Sequence, residues 1–145
     1  MTRSPRIDGL RRSLPLWAAA LWWGSLSVIG FLVVPLLFKH LPSPAMAGAM
    51  AGQLFSAQTW LSVVCGLLLL MLSRAEGQGE GAALRRALPY IMAGMLLALL
   101  SELAVAPRIM ARDNLALWHR VGSSMYLLQW ACASAVFWRL NARQA

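Results

Sequence analysis

Four long apolar runs, separated by short polar or basic stretches, make up most of the chain. They cover residues 14–38, 45–72, 86–106 and 115–140. A helix of about 20 apolar residues is long enough to cross the hydrocarbon core of a bilayer, and each run reaches that length. The pattern therefore predicts four transmembrane helices.

The stretches outside these runs are too short for a soluble domain. We predict a basic N-terminus over residues 1–13, a single transmembrane domain over residues 14–140 and a short tail over residues 141–145. The predicted fold class is all-α, an integral membrane four-helix bundle, and no internal repeat is persuasive. A cleaved signal peptide is the alternative interpretation of the first run, but signal-peptide cores are shorter, roughly 7–15 residues.

Composition supports the same class of protein. Hydrophobic residues make up 59% of the 145 residues and charged residues 12%, whereas soluble domains average about 25% charged residues. The net charge of +8 comes largely from bases at the ends of the apolar runs, so we predict a lipid bilayer and not nucleic acid as the partner. Both cysteines lie inside apolar runs and form no CxxC motif, so neither a redox pair nor covalent haem attachment is indicated.

The distribution of bases predicts the orientation. The N-terminus, the connection between the second and third runs, and the C-terminus together hold more Arg and Lys than the other side, which holds Lys39, Arg108, Arg112 and Arg120. Because cytoplasmic segments are enriched in these residues, both termini are predicted to be cytoplasmic. The expected location is a bacterial inner (plasma) membrane.

Glu102 is the only acid within the third run and the first candidate for chemistry. If that helix ends before Pro107, Glu102 and His119 lie at similar depths in neighbouring antiparallel helices, and Arg120 reaches the same region. A carboxylate in the apolar zone requires a cationic or donor partner. Two interpretations stay open: an ion pair that locks the third and fourth helices together, or a proton or ion relay or polar ligand pocket.

Arg108 and Arg112 lie at the rim of this cluster. If the turn is helical, their spacing places both on one side, where they form an anion or headgroup site or simply reach the lipid phosphates. Asp113 or Asn114 is predicted to cap the fourth helix.

Imidazole and thioether groups on the predicted outer side suggest a metal or haem site. His40, His119, Met46 and Met50 suit copper(I), and two imidazoles are also able to ligate haem iron. No spacing typical of a metal motif joins these residues. We therefore expect no cofactor, with copper or haem as the alternative.

The second run opens with small and polar residues. Gly48 and Gly52 form a G-x-x-x-G pair, a spacing that lets helices approach closely in lipid. We expect this pair to pack within the chain, while a second copy or another membrane protein is the alternative partner. Gln53, Gln58 and Thr59 also favour an interior face.

Short motifs occur in a fixed order along the chain. They are Trp22-Trp-Gly24, Val34-Pro-Leu-Leu-Phe38, Gly52-Gln-Leu-Phe55, Pro107-Arg108-Ile and Leu117-Trp-His119. In this order they resemble the family labelled domain of unknown function 4149, small four-helix membrane proteins that include animal transmembrane relatives. This resemblance implies a fold and not an activity. A fainter similarity to copper-resistance D proteins and membrane protoporphyrinogen oxidases implies copper or haem.

Together these observations predict a small multi-pass inner-membrane protein of unknown ligand, structural or transport-related. The alternatives are a copper- or haem-handling membrane protein, of which a redox enzyme is one form, and an accessory subunit of a larger membrane complex. No Ser/His/Asp arrangement, phosphate-binding glycine loop or pair of acids favours an enzyme.

Overall fold

The computed structural model describes the backbone of residues 5–75 and 82–142, and the side chains of residues 13–74 and 83–142. Within these ranges the chain forms four helices and no strand, which confirms the predicted all-α class. The outermost parts of the predicted N-terminal segment and C-terminal tail lie outside the described residues.

Each predicted apolar run corresponds to one helix. The helices are α1 (Pro5–Val28, Ile29–Val33 and Val34–His40), α2 (Pro44–Ala75), α3 (Ala82–Leu100, Ser101–Val105 and Ala106–Met110) and α4 (Leu115–Asn141). The connections formed by residues 41–43 and 111–114 lie at the same end of the bundle, which we call the turn end. The opposite end is the terminal end. Every helix is longer than its apolar run, because the flanking polar and basic residues continue the helical conformation.

α1 and α3 each contain one π-helical segment near the turn end. In Ile29–Val33 and Ser101–Val105 the backbone hydrogen bonds reach back five residues instead of four. A proline, Pro35 or Pro107, follows each segment after one further residue. Proline lacks an N–H and its ring collides with the carbonyl of an ordinary preceding turn, so the wider turn lets each helix continue. The prediction that this helix ends before Pro107 is therefore wrong, because α3 extends to Met110.

Each helix packs against two others. α1 and α3 both contact α2 and α4, so α1 lies diagonally across the bundle from α3, and α2 from α4. Gly94 of α3 permits close approach across this diagonal. A Cβ at Gly94 would lie 2.7 Å from Cη2 of Trp22, a fully buried side chain of α1.

Aromatic side chains of α4 attach it to α1. The Tyr126 hydroxyl donates to the Leu26 carbonyl at 2.8 Å, and the Trp130 indole N–H donates to the Ser27 hydroxyl at 2.9 Å. The Tyr126 ring lies directly against the backbone of Gly30, where a Cβ would be 2.5 Å from Cε1. Gly30, which lies within the first π-helical segment, is therefore required for this approach.

The core of the bundle is mainly apolar, but the distribution of the remaining side chains differs from that in a soluble protein. Large apolar side chains point outward, among them Leu103 (72% exposed) and Trp138 (74% exposed), while Gln58, Ser62 and Gln129 are buried. Water would disfavour this combination, because large exposed apolar surfaces and buried polar groups both cost free energy there. A surrounding of lipid removes that conflict.

Three of the helices are long and apolar enough to cross a membrane. They span Ser13–His40, Pro44–Arg74 and Ala83–Met110. α4 is not among them. The length and composition of the three helices are compatible with a multi-pass membrane protein.

Candidate functional site

Glu102 lies in the π-helical segment of α3, at the contact with α2. The Ser56 hydroxyl of α2 donates a hydrogen bond of 2.7 Å to Glu102 Oε1, and both side chains are half-buried. No other hydrogen bond or ion pair to Glu102 is formed within the described part of the chain. The predicted need for a donor partner is thus met by a neutral hydroxyl of α2, and not by a side chain of the fourth helix.

The structure does not bring His119 or Arg120 to this carboxylate. Both are exposed on α4, and neither forms an ion pair within residues 13–74 and 83–142. The reason is the length of α3. The predicted depth of Glu102 assumes a helix that ends before Pro107, but the helix continues to Met110, so Glu102 lies about one turn deeper than predicted.

Arg108 and Arg112 lie at the turn end, but not on one helical face. The Arg108 guanidinium lies 4.3 Å from the centroid of the Trp118 ring, a cation–π contact between α3 and α4. Arg112 adopts a left-handed conformation with φ 56°, so the helical turn that would align the two arginines is not formed. Asn114 occupies the N-cap position of α4 with φ 36°, but its side chain makes no capping hydrogen bond.

Arg112 ends α3 in a Schellman motif. The Asp113 N–H donates to the Arg108 carbonyl and the Arg112 N–H donates to the Ile109 carbonyl, each at 3.1 Å. Glycine normally occupies the left-handed position of this motif, because a Cβ there is strained. The chain places an arginine at this position instead.

The four candidate metal ligands are all exposed. His40 is exposed at the end of α1, and Met46 and Met50 are exposed on the first turns of α2. His119 is exposed on α4. Across residues 13–74 and 83–142, no group of three or more His, Cys, Asp or Glu side chains is arranged to hold a metal ion.

Gly48 and Gly52 face outward, contrary to the expectation that they pack within the chain. Both are exposed, and a Cβ added at either would meet nothing within 4 Å. Gln53 is exposed as well, whereas Gln58 and Thr59 lie inside as predicted. The G-x-x-x-G spacing shows that both glycines lie on one face of α2. It does not show whether that face points toward the other helices or away from them.

A buried polar network crosses the middle of the bundle. The Gln58 side-chain amide donates to the hydroxyls of Ser25 (3.0 Å) and Ser62 (3.3 Å), and the Gln129 amide donates to Ser62 at 2.9 Å. α1, α2 and α4 are thereby joined by hydrogen bonds. Gln129 was not singled out from the sequence, although a glutamine inside an otherwise apolar run is a usable signal.

Four helices with apolar exteriors, a small buried polar network and one half-buried carboxylate define a helical bundle of the membrane-protein class. The chain belongs to the family described as Domain of unknown function (DUF4149), which matches residues 17–117. The match includes Ser56, Gln58 and Glu102 but ends before Gln129. No curated protein and no solved structure matches the chain.

Proposed function

We propose that this protein is a four-span protein of a bacterial inner membrane in which Glu102 binds a proton or a small cation inside the bilayer. Both termini are cytoplasmic in this proposal, and the turn end faces the outside. The observation that carries it is the environment of Glu102, an acid in the apolar zone whose partner is one neutral hydroxyl.

An embedded carboxylate that served only to join helices would be expected to have a cation or several donors. The cost of placing a charge in lipid is several kcal/mol, and pairing is what offsets it. Ser56 supplies a single donor to Oε1, and no guanidinium or imidazole reaches the carboxylate in the described structure. Glu102 is therefore suited to bind a proton, which removes the charge, or a cation, which compensates it.

α4 is proposed to be the fourth span. Trp118 and Trp138 lie near its two ends, with Trp138 74% exposed and Arg139 stacked 4.7 Å from the Tyr90 ring centroid. At a rise of 1.5 Å per residue, the two tryptophans are about 30 Å apart along the axis, which matches the hydrocarbon thickness of a bilayer. Tryptophan favours both membrane interfaces. A reporter fused after Ala145 tests this topology, and periplasmic activity of that reporter would contradict it.

The function is tested by comparing Glu102→Gln with Asp113→Asn in proteoliposomes. Both variants remove one carboxylate, but Asp113 is exposed in the turn and serves as the matched control. We expect Glu102→Gln to abolish the flux or uptake of protons or monovalent cations that the wild-type protein supports, and Asp113→Asn to leave it unchanged. Loss of thermal stability in Glu102→Gln without any change in proton or cation response would show that Glu102 is only structural.

A further inference from the structure

Two exposed arginines lie where α3 turns into α4. Arg108 belongs to the last turn of α3, and Arg112 ends that helix. The Asp113 N–H donates to the Arg108 carbonyl at 3.1 Å, so the backbones of both arginines belong to one compact turn. Neither guanidinium forms an ion pair with Asp113 or with any other acid of the described residues. The turn thus presents two cationic groups without an anionic partner in this part of the chain.

Trp118 fixes the position of the Arg108 side chain. The guanidinium lies over the half-buried indole ring, 4.3 Å from its centroid. This contact engages the positive charge and leaves the N–H groups free to donate. No carbonyl, hydroxyl or carboxylate in residues 13–74 and 83–142 accepts a hydrogen bond from the Arg108 side chain. A planar set of donors that matches two phosphate oxygens is therefore held in place and is not used by these residues.

Arg112 occupies a backbone position that favours glycine. Its φ of 56° lies in the left-handed region, where a Cβ is strained. Strained residues of this kind are concentrated at binding sites. The Arg112 side chain is exposed and makes no hydrogen bond or ion pair with the described residues, so its guanidinium contributes no such contact to the fold in return. An anion outside the chain would give this charge a role.

The side chains that flank the two arginines show which kind of anion fits. Met110, which lies between them in the sequence, is 84% exposed, and Leu115 and Leu117 at the start of α4 are exposed as well. A free anion in water gains nothing from these apolar side chains. A phospholipid places its acyl chains against them and its phosphate beside the arginines. Trp118 is also a residue type that favours the boundary between headgroups and hydrocarbon.

We infer that the turn between α3 and α4 binds the phosphate of an anionic phospholipid. Arg108 and Arg112 are the phosphate ligands, and Trp118 is the residue that positions Arg108. An anionic headgroup is preferred to a choline headgroup, because the choline ammonium adds a positive charge beside two guanidinium groups. The inference requires the turn end to lie at the membrane surface, but it does not depend on the role proposed for Glu102.

Native mass spectrometry of the detergent-solubilised protein tests the site. Phosphatidylglycerol, phosphatidylcholine and inorganic phosphate are titrated separately, and the Kd of the first bound molecule is compared. We expect phosphatidylglycerol to bind more tightly than phosphatidylcholine, and inorganic phosphate not to bind at the same concentrations. Arg108→Gln should weaken phosphatidylglycerol binding about fivefold, the usual contribution of one basic side chain at an anionic membrane surface.

Arg85→Gln is the matched control, because it removes the same charge from an exposed position near the start of α3, at the terminal end. It should leave the Kd of phosphatidylglycerol unchanged. Equal losses of affinity in Arg108→Gln and Arg85→Gln would overturn the inference, since they would show a diffuse attraction of headgroups to the whole basic protein.

Two further variants separate lipid binding from a structural role of the turn. Arg112→Gly removes a guanidinium and also relieves the left-handed strain, so it should weaken phosphatidylglycerol binding about fivefold while raising the melting temperature in a neutral detergent. Trp118→Leu should weaken binding as well, and Trp118→Phe should restore most of it, because phenylalanine keeps an aromatic face for Arg108. A purely structural turn would change stability and binding in the same direction.

The ligand comparison gives two more results that would overturn the inference. Equal affinity for phosphatidylglycerol and phosphatidylcholine would remove the preference for an anionic headgroup. Binding of inorganic phosphate as tightly as phosphatidylglycerol would assign the turn to a soluble anion instead. Failure of the proposed function is distinguishable from either result, because the flux assay of Glu102→Gln uses a different variant and a different readout.

Discussion

The contact between Gly30 and Tyr126 gives the sharpest test of the packing. In Gly30→Ala the new Cβ would lie 2.5 Å from Tyr126 Cε1 and 3.1 Å from both Cζ and the hydroxyl oxygen. The ring has little freedom to move, because its hydroxyl is bonded to the Leu26 carbonyl and its edge contacts Phe55 at a centroid distance of 5.1 Å. The methyl group must therefore displace a ring that is held at two points.

The expected magnitude follows from these contacts. Overpacking of this kind costs about 1–3 kcal/mol, and loss of the tyrosine hydrogen bond adds about 1 kcal/mol. The higher helix propensity of alanine offsets about 1 kcal/mol. We expect Gly30→Ala to lower the free energy of unfolding by about 1–3 kcal/mol, measured by titration with sodium dodecyl sulfate in mixed micelles and followed by circular dichroism.

Gly24→Ala in the same helix is the control, because a Cβ at Gly24 meets nothing within 4 Å. It should be neutral or stabilising by up to about 1 kcal/mol. A double variant that adds Tyr126→Leu removes the collision and should show a favourable coupling of about 1 kcal/mol with Gly30→Ala. Equal stability of Gly30→Ala and Gly24→Ala would refute the reasoning.

Two further changes test other parts of the bundle in the same assay. Arg112→Gly should raise the free energy of unfolding by about 1 kcal/mol, since glycine relieves the left-handed strain at φ 56°. A decrease would mean that the Arg112 side chain makes a contact worth more than the strain. Gly94→Ala should lower stability by about 1–2 kcal/mol, because its Cβ would approach the immobile Trp22 ring to 2.7 Å and the Cys132 Cβ to 3.4 Å. An unchanged value for Gly94→Ala would contradict the close approach of α1 and α3.

The four helices were predictable because the length of an apolar run is a local property of the sequence. The continuation of α3 through Pro107 was not, since the usual rule ends a helix at proline. A π-helical turn allows a proline to lie within a continuous helix, and no simple residue pattern predicts such a turn. The error of one turn at this proline then misplaced Glu102 relative to His119.

The partner of Glu102 depended on which helices are neighbours and on their register. The sequence identified the carboxylate and its need for a donor, and the nearest cations along the chain were the obvious choice. Ser56 lies in a different apolar run, and its sequence context does not mark it as a partner of Glu102. The packing of α2 against α3 brings the two side chains together. The outward position of Gly48 and Gly52 likewise depended on the rotation of α2 about its axis.

The paired π-helical segments have a mechanical consequence. If the segment Ser101–Val105 reverted to ordinary α-helix, the part of α3 beyond it would rotate by roughly a quarter of a turn, because the two helix types differ in residues per turn. Arg108 would swing away from Trp118, and the direction of the Glu102 side chain would change at the same time. Ile29–Val33 gives α1 the same capacity at the same end. A change of helix type in either segment would therefore turn the end of its helix, at the depth of the half-buried Glu102 carboxylate and of the Tyr126–Gly30 contact.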